Sequence, residues 1–171
     1  ALLLCCILMF TAGCTQSGAK TDDTVRVNYT ASFQDGTVFD TNLNSAPLEF
    51  TVGKGQVIPG FDEAVIGMTP GMSKTVTIPP EKGYGIHNTS MVFRESLEEV
   101  NAFIQDQEDQ GNIVLVPYPG IGPVFSWVYP DGSRGYMRLT NSTDTMVTVD
   151  LNNPLAGKTL VFDIQLVEIV Q

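Results

Sequence analysis

The stretch VIPGFDEAVIGMTPGMSKTVTIPPEKGYG, Val57 to Gly85, constrains the fold more than any other part of the chain. Phe61, Val65 and Ile66 fall on one side of a helix while Asp62 and Glu63 point the other way, so this helix has one apolar side to bury. Pro59-Gly60 before it and Gly67 and Pro70-Gly71 after it are breakers, which limit the helix to about two turns. Lys74, Val76 and Ile78 then alternate with Thr75 and Thr77 until Pro79-Pro80 closes the run, the pattern of a strand.

The residues before this stretch read as strands. Val25, Val27 and Tyr29 alternate with Arg26, Asn28 and Thr30, and Ala31 and Phe33 lead into the turn Gln34-Asp35-Gly36-Thr37. Val38 to Thr41 resumes an extended path, Asn42 to Pro47 is loop, and Leu48 to Val52 alternates again up to Gly53. Antiparallel strands with one apolar face must cover it, and Phe61–Ile66 is the only helix signal in this half. The expected architecture is α+β, a curved antiparallel sheet wrapped around one short helix.

After Gly85 the periodicity changes. Ser96-Leu97-Glu98-Glu99 has the form of a capping box, and Leu97, Val100, Phe103 and Ile104 make an apolar stripe that ends before Gly111. Ile113–Val116, Val124–Tyr129 and Tyr136–Leu139 are strand-like. Met146–Asp150 is expected to rejoin the first sheet. Residues 86 to 145 would then form a small inserted α+β domain, and residues 24 to 85 and 146 to 171 the main one.

Three ordered segments carry a resemblance. VRVNYTASFQDGTVFDTN, VIPGFDEAVIGMTPGMSKTVTIPPEKGYG and PLAGKTLVFDIQLVEIV together resemble the FKBP family of peptidyl-prolyl cis/trans isomerases. The long insertion, at the place of the loop that family calls the flap, resembles the SlyD-like subgroup, whose members carry a second, chaperone-type domain there. The resemblance implies a proline pocket lined by Tyr29, Phe39, Phe61 and Phe162, with Val57 and Ile58 at its rim and Leu48 at a wall position that is aromatic in the family. It also implies that Ile58 offers a backbone N–H to substrate, that Tyr84 offers a phenol to a substrate carbonyl, and that Asp40 sets a carboxylate beside the twisting bond. Phe61 stands where the family usually has Trp.

Such residues suit the chemistry. An Xaa-Pro amide isomerises over a barrier of about 18 to 20 kcal/mol because the twisted form loses C–N resonance. No nucleophile and no cofactor are needed; a dry aromatic pocket that prefers the twisted amide, with one or two fixed donors, is enough. Taken one at a time these aromatics read as sheet core, but Tyr29 and Tyr84 carry hydroxyls that a core would have to satisfy. The competing reading is a non-catalytic FKBP-like scaffold whose insert docks an envelope partner.

Composition sets the remaining expectations. A net charge of -10, from 19 Asp and Glu against 9 Lys and Arg, leaves no basic patch for phosphates and excludes nucleic acid as a partner. Ala1–Phe10 is apolar and too short to span a bilayer, which takes about 18 residues or more. It reads as the core of a secretory signal or as part of a transmembrane anchor. Thr11-Ala12-Gly13-Cys14 resembles a lipobox, which makes Cys14 the expected lipidation site, residues 1 to 14 a signal, and residues 15 to 23 a structureless tether. The protein is therefore expected as a monomer held at the outer face of the cell membrane, acting on proline-containing unfolded or newly exported polypeptides. The insert, dense in apolar residues over Ile113–Val116, Pro117–Pro123 and Val124–Tyr129, would capture them. His87 is the only histidine and no metal site is expected; the acidic residues of the insert helix read as a solvated face.

Overall fold

The computed structural model describes residues 17–170, so Cys14 and the apolar run before it lie outside the described residues. Strand β1 (Thr24–Phe33) is the spine of the first sheet. On one edge it pairs along its whole length with β10 (Leu160–Val170). On the other edge β2 (Val38–Thr41) pairs with its C-terminal half and β3 (Leu48–Thr51) with its N-terminal half. Strand β4 (Ser73–Ile78) closes the far side against β10, and every pairing is antiparallel.

The alternation in these strands puts Val25, Val27, Ala31, Phe50, Leu160, Phe162, Ile164 and Leu166 on one face, all buried. Helix α1 (Pro59–Val65) lies across that face and buries Gly60, Phe61, Ala64 and Val65. It starts two residues before the sequence pattern suggests, because Pro59 at its first turn needs no amide partner. A side chain at Gly60 would put its Cβ 2.6 Å from Ile78, so the helix can sit this close to β4 only with glycine there. Ile66, expected on the buried side, is instead 48% exposed, since the helix ends at Val65 and the chain turns extended. Lys74 donates from Nζ to the Ala64 carbonyl at 3.1 Å and so ties β4 to the C-terminal turn of the helix.

Residues 17 to 23 are not the free tether the sequence suggested. Ala19 is buried in the first core, its N–H donates to the Met68 carbonyl at 2.8 Å, and its carbonyl accepts from the Gly67 N–H at 2.7 Å. Small residues make this docking possible: a Cβ at Gly18 would run into the Gly67 carbonyl.

Between β4 and β10 the chain builds a second five-stranded antiparallel sheet. Its strands are β5 (Val92–Ser96), β6 (Val114–Tyr118), β7 (Gly122–Val128), β8 (Arg134–Thr140) and β9 (Met146–Asp150), in the order β5-β9-β8-β7-β6. Strand β9 belongs here, paired with β5 and β8; Met146–Asp150 does not rejoin the first sheet, and the return comes only at Leu160. Strand β5 carries no clean alternation that would have announced it. Helix α2 (Leu97–Asp109) covers one face of the sheet with Val100 and Ile104, and Ile113, Met137, Val147 and Val149 complete a core separate from the first. Half of the expected capping box forms: Ser96 Oγ accepts from the Glu99 N–H, but the Ser96 N–H goes to Glu95 instead of Glu99. Phe103 leaves the helix stripe and is 49% exposed. Trp127 lies flat over Gly135 on the neighbouring strand, where any Cβ would fall within the indole ring.

The two segments that join the sheets run side by side. The Gly157 N–H donates to the Gly85 carbonyl at 2.8 Å, and the Asn152 side chain bridges to Asn88, accepting from its N–H at 2.8 Å and donating to its carbonyl at 3.0 Å. Asp150 beside them is buried and takes bonds from His87 Nε2, Arg138 Nη2 and the Asn152 amide.

Candidate active site

The first sheet and α1 leave a concavity of about 530 Å³ at the end of the helix. Its floor is aromatic. The Phe61 and Phe162 rings pack edge to face at 5.4 Å, Tyr29 meets Phe61 edge to face at 5.8 Å, and Phe39 meets Phe162 edge to face at 6.4 Å. Phe61 and Phe162 are buried, 3% and 5% exposed, because both also serve the core beneath; Tyr29 and Phe39 keep open faces. Leu48, Val57 and Ile58 form the sides and Tyr84 the outer rim, 39% exposed.

All nine residues singled out from the sequence line this one concavity: Tyr29, Phe39, Asp40, Leu48, Val57, Ile58, Phe61, Tyr84 and Phe162. They come from β1, β2, β3, the turn before α1, α1 itself, the loop after β4, and β10. Gly55, Gln56 and Pro59 join them and were not singled out. Sequence gave no handle on Gln56, whose Oε1 accepts the Thr51 N–H at 2.7 Å and pins the loop that carries Val57.

One polar cluster stands at the mouth. Tyr29 donates its phenol proton to Asp40 Oδ2 at 2.6 Å. Burial, and then the bond to Asp40, push the Tyr29 phenol far above its ordinary value, so it remains a donor. Burial, then the Asp40 charge, also push the Tyr84 phenol up. Asn42, read from sequence as plain loop, is buried and holds the backbone of Tyr29: its Oδ1 accepts the Tyr29 N–H at 2.7 Å and its Nδ2 donates to the Val27 carbonyl at 2.9 Å. A loop asparagine next to a strand edge is the one signal that could have pointed to it.

Ile58 sits at the N-cap of α1. Its carbonyl accepts from the Phe61 and Asp62 N–H groups, and its own N–H donates to no group among the described residues. The helix start thus presents a free backbone donor at the edge of an apolar, aromatic concavity. The lining holds no Ser, Thr, Cys, His or Lys, and its one carboxylate, Asp40, accepts from the Tyr29 phenol. What the arrangement can do is accept a compact apolar ring, hold its peptide by a backbone bond, and present one carboxylate.

The family model for FKBP-type peptidyl-prolyl cis-trans isomerase matches residues 15–167. The chain belongs to that family. It is 36% identical over 160 residues to the short-type peptidyl-prolyl cis-trans isomerase of Methanocaldococcus jannaschii, covering 85% of this chain and 90% of that protein. A probable FKBP-type 16 kDa isomerase of Pseudomonas fluorescens is 28% identical over 151 residues, with 85% and 87% covered. FK506-binding protein 2 of Yarrowia lipolytica is 47% identical, but over only 73 residues, 42% of this chain and 50% of that protein. The protein is thus an FKBP-type isomerase that catalyses cis/trans isomerisation of peptidyl-prolyl bonds.

Proposed function

We propose that this isomerase works on proline-containing unfolded polypeptides, newly exported chains among them, and that the second sheet with α2 is an inserted client-binding domain of the SlyD-like kind. In this reading the proline ring enters between Tyr29, Phe39 and Phe162, over Phe61. The Ile58 N–H holds the substrate carbonyl beyond the proline, and the Tyr84 phenol donates to a second carbonyl. As the amide twists it loses its dipolar resonance form, so a dry apolar wall favours the twisted state over the planar one. Asp40, fixed by Tyr29, stands where charge on the rotating carbonyl or nitrogen changes most.

The observation that carries the client-binding part is an uncovered apolar groove on the second sheet. Phe93, Val100, Phe103, Trp127, Met137 and Leu151 line about 310 Å³ there. The outer strand β6 adds Val114 and Leu115, 58% and 54% exposed. Ile113 and Val124, which the sequence placed in the same sticky surface, are buried. Exposed apolar side chains beside an unpaired strand edge suit sequence-tolerant capture of extended chains. Attachment through a lipid on Cys14 would keep the enzyme where exported chains emerge.

The test is a pair of rates measured on the same preparation. A protease-coupled assay on an Ala-Xaa-Pro-Phe tetrapeptide should show acceleration well above buffer, and proline-limited refolding of a whole protein should be accelerated at far lower enzyme concentration. Equal concentration requirements in both assays would remove the client-binding role.

A further inference from the structure

Phe39, a wall of the concavity, lies where its strand loses register. Ala31 pairs with Asp40 and Ser32 with Val38, so Phe39 falls at the irregularity between them with no partner on β1. A residue at a bulge is aimed by what packs on it and not by the ladder. Its ring has two aromatic neighbours, Phe162 edge to face at 6.4 Å and Phe33, tilted, at 4.8 Å. Phe162 belongs to the core, whereas Phe33 ends β1 and stands outside the lining of the concavity. The Phe33 N–H donates to the Thr37 carbonyl and its carbonyl accepts from the Gly36 N–H, each at 3.0 Å. These bonds fix its backbone and leave the ring to be held by packing.

That packing comes from the second sheet. Strands β6 and β7 are joined through Tyr118-Pro119-Gly120-Ile121, a turn closed by the Ile121 N–H on the Tyr118 carbonyl at 3.1 Å. Proline followed by glycine at φ +73° is the pattern of a type II turn. The turn lands on Phe33: a Cβ at Gly120 would lie 2.8 Å from the Phe33 ring and 3.2 Å from the Thr37 methyl, so only glycine lets the backbone come this close. Ile121 beside it is half-buried and packs against the first core. The tip of the hairpin is thus seated on the first sheet by fit and by burial, one ring away from Phe39.

Building on the proline site proposed above, we propose that Phe33 and Ile121 are positioning residues for isomerisation: the hairpin tip clamps Phe33, and Phe33 holds Phe39 in place as a wall of the concavity. Neither residue touches the substrate. With the clamp released, the Phe39 ring leaves its place at the bulge, and the proline ring loses one aromatic face. The wall meets the proline in the planar and in the twisted state alike, so its loss removes binding common to both. The effect therefore falls on KM and not on kcat, and it falls on a substrate of any length.

The experiment uses the full chain and a tetrapeptide with one Xaa-Pro bond. An aromatic pair shifts an equilibrium about two- to ten-fold, so Phe33→Ala should raise KM by about five- to ten-fold with kcat within about two-fold of wild type. Phe33→Tyr keeps the ring and should bring KM back to within about two-fold. Ile121→Ala and Gly120→Ala, both on the second sheet, should each raise KM about three-fold, and Phe33→Ala/Ile121→Ala no more than Phe33→Ala alone, since all act through Phe39. In protein labelled with fluorophenylalanine, the Phe39 resonance, assigned by its loss in Phe39→Leu, should move in Ile121→Ala. Far-UV circular dichroism confirms that each variant is folded. An unmoved Phe39 resonance in Ile121→Ala and Gly120→Ala, or KM losses that add in the double variant, would overturn the clamp. A resonance that moves while KM stays put would support the clamp and strike the proline site instead.

Discussion

Tyr29 holds Asp40 by a 2.6 Å bond from its phenol, and Asn42 holds Tyr29 by its backbone. The carboxylate at the mouth of the concavity therefore has one set position, reached through residues on β1, β2 and the loop that follows.

Removing that tether should cost activity without unfolding the protein. A hydrogen bond to a charged group is worth about 1.5 to 3 kcal/mol when one partner is deleted. Tyr29→Phe is expected to lower kcat/KM for peptide isomerisation about ten-fold, and Asp40→Ala at least as much. The double variant should fall little further than Asp40→Ala alone, since the phenol acts through the carboxylate. Additive losses, with far-UV circular dichroism unchanged, would show that the two act independently.

At the junction of the sheets, Asp150 gives a pH signature. Burial pushes its carboxyl up, but the bonds from His87, Asn152 and Arg138 together outweigh that and hold it at about 2. A carboxyl whose folded value is depressed adds stability in full above its unfolded value, near 3.9, and loses it as pH falls through the folded one. The contribution is roughly 2 kcal/mol. Denaturant titrations should show stability dropping as pH falls from about 4 to about 2, and Asp150→Asn should flatten that slope while lowering stability at neutral pH. An unchanged slope in the variant would assign the drop to other carboxyls.

The segment before β1 is part of the fold. Ala19 is buried, and it exchanges two backbone bonds with Gly67 and Met68. Removing the chain through Lys20 forfeits these bonds, worth about 1 kcal/mol each, so unfolding free energy should drop by roughly 2 kcal/mol with the prolyl cavity intact. A truncated protein as stable as the full chain would return this segment to the role of a spacer.

The parts of the fold legible in the sequence were those where one physical rule acts alone. The alternation of β1, β3 and β4 and the breakers around α1 place those elements within a residue or two, because each strand presents a single apolar face. The nine cavity residues were legible through the family resemblance; periodicity alone treats Phe61 and Phe162 as core, which they also are. Misreadings fell where pairing across the chain decides. β9 alternates equally well for either sheet, and only its partners β5 and β8 assign it to the second. Ala19 and Asn42 act through backbone bonds to distant residues, Gly67 and Met68 in one case and Tyr29 and Val27 in the other, and composition carries no trace of these.

The groove between α2 and the second sheet offers the sharpest test of client capture. Phe103 is 49% exposed on α2 and lines the groove with Trp127, yet contributes nothing to the buried residues of that core. Replacing it by glutamine retains a good helix former and should leave folding and tetrapeptide isomerisation as they are, since the residue lies on the far face from the prolyl concavity. A captured client that covers this ring gains about half of the 1.5 to 3 kcal/mol that full burial of a phenylalanine brings. Phe103→Gln is therefore expected to weaken capture of unfolded protein about five-fold and to slow catalysed, proline-limited refolding by a similar factor at sub-saturating enzyme. Refolding catalysed as fast as by the wild-type protein would mean that clients are held elsewhere and that this groove is not their site.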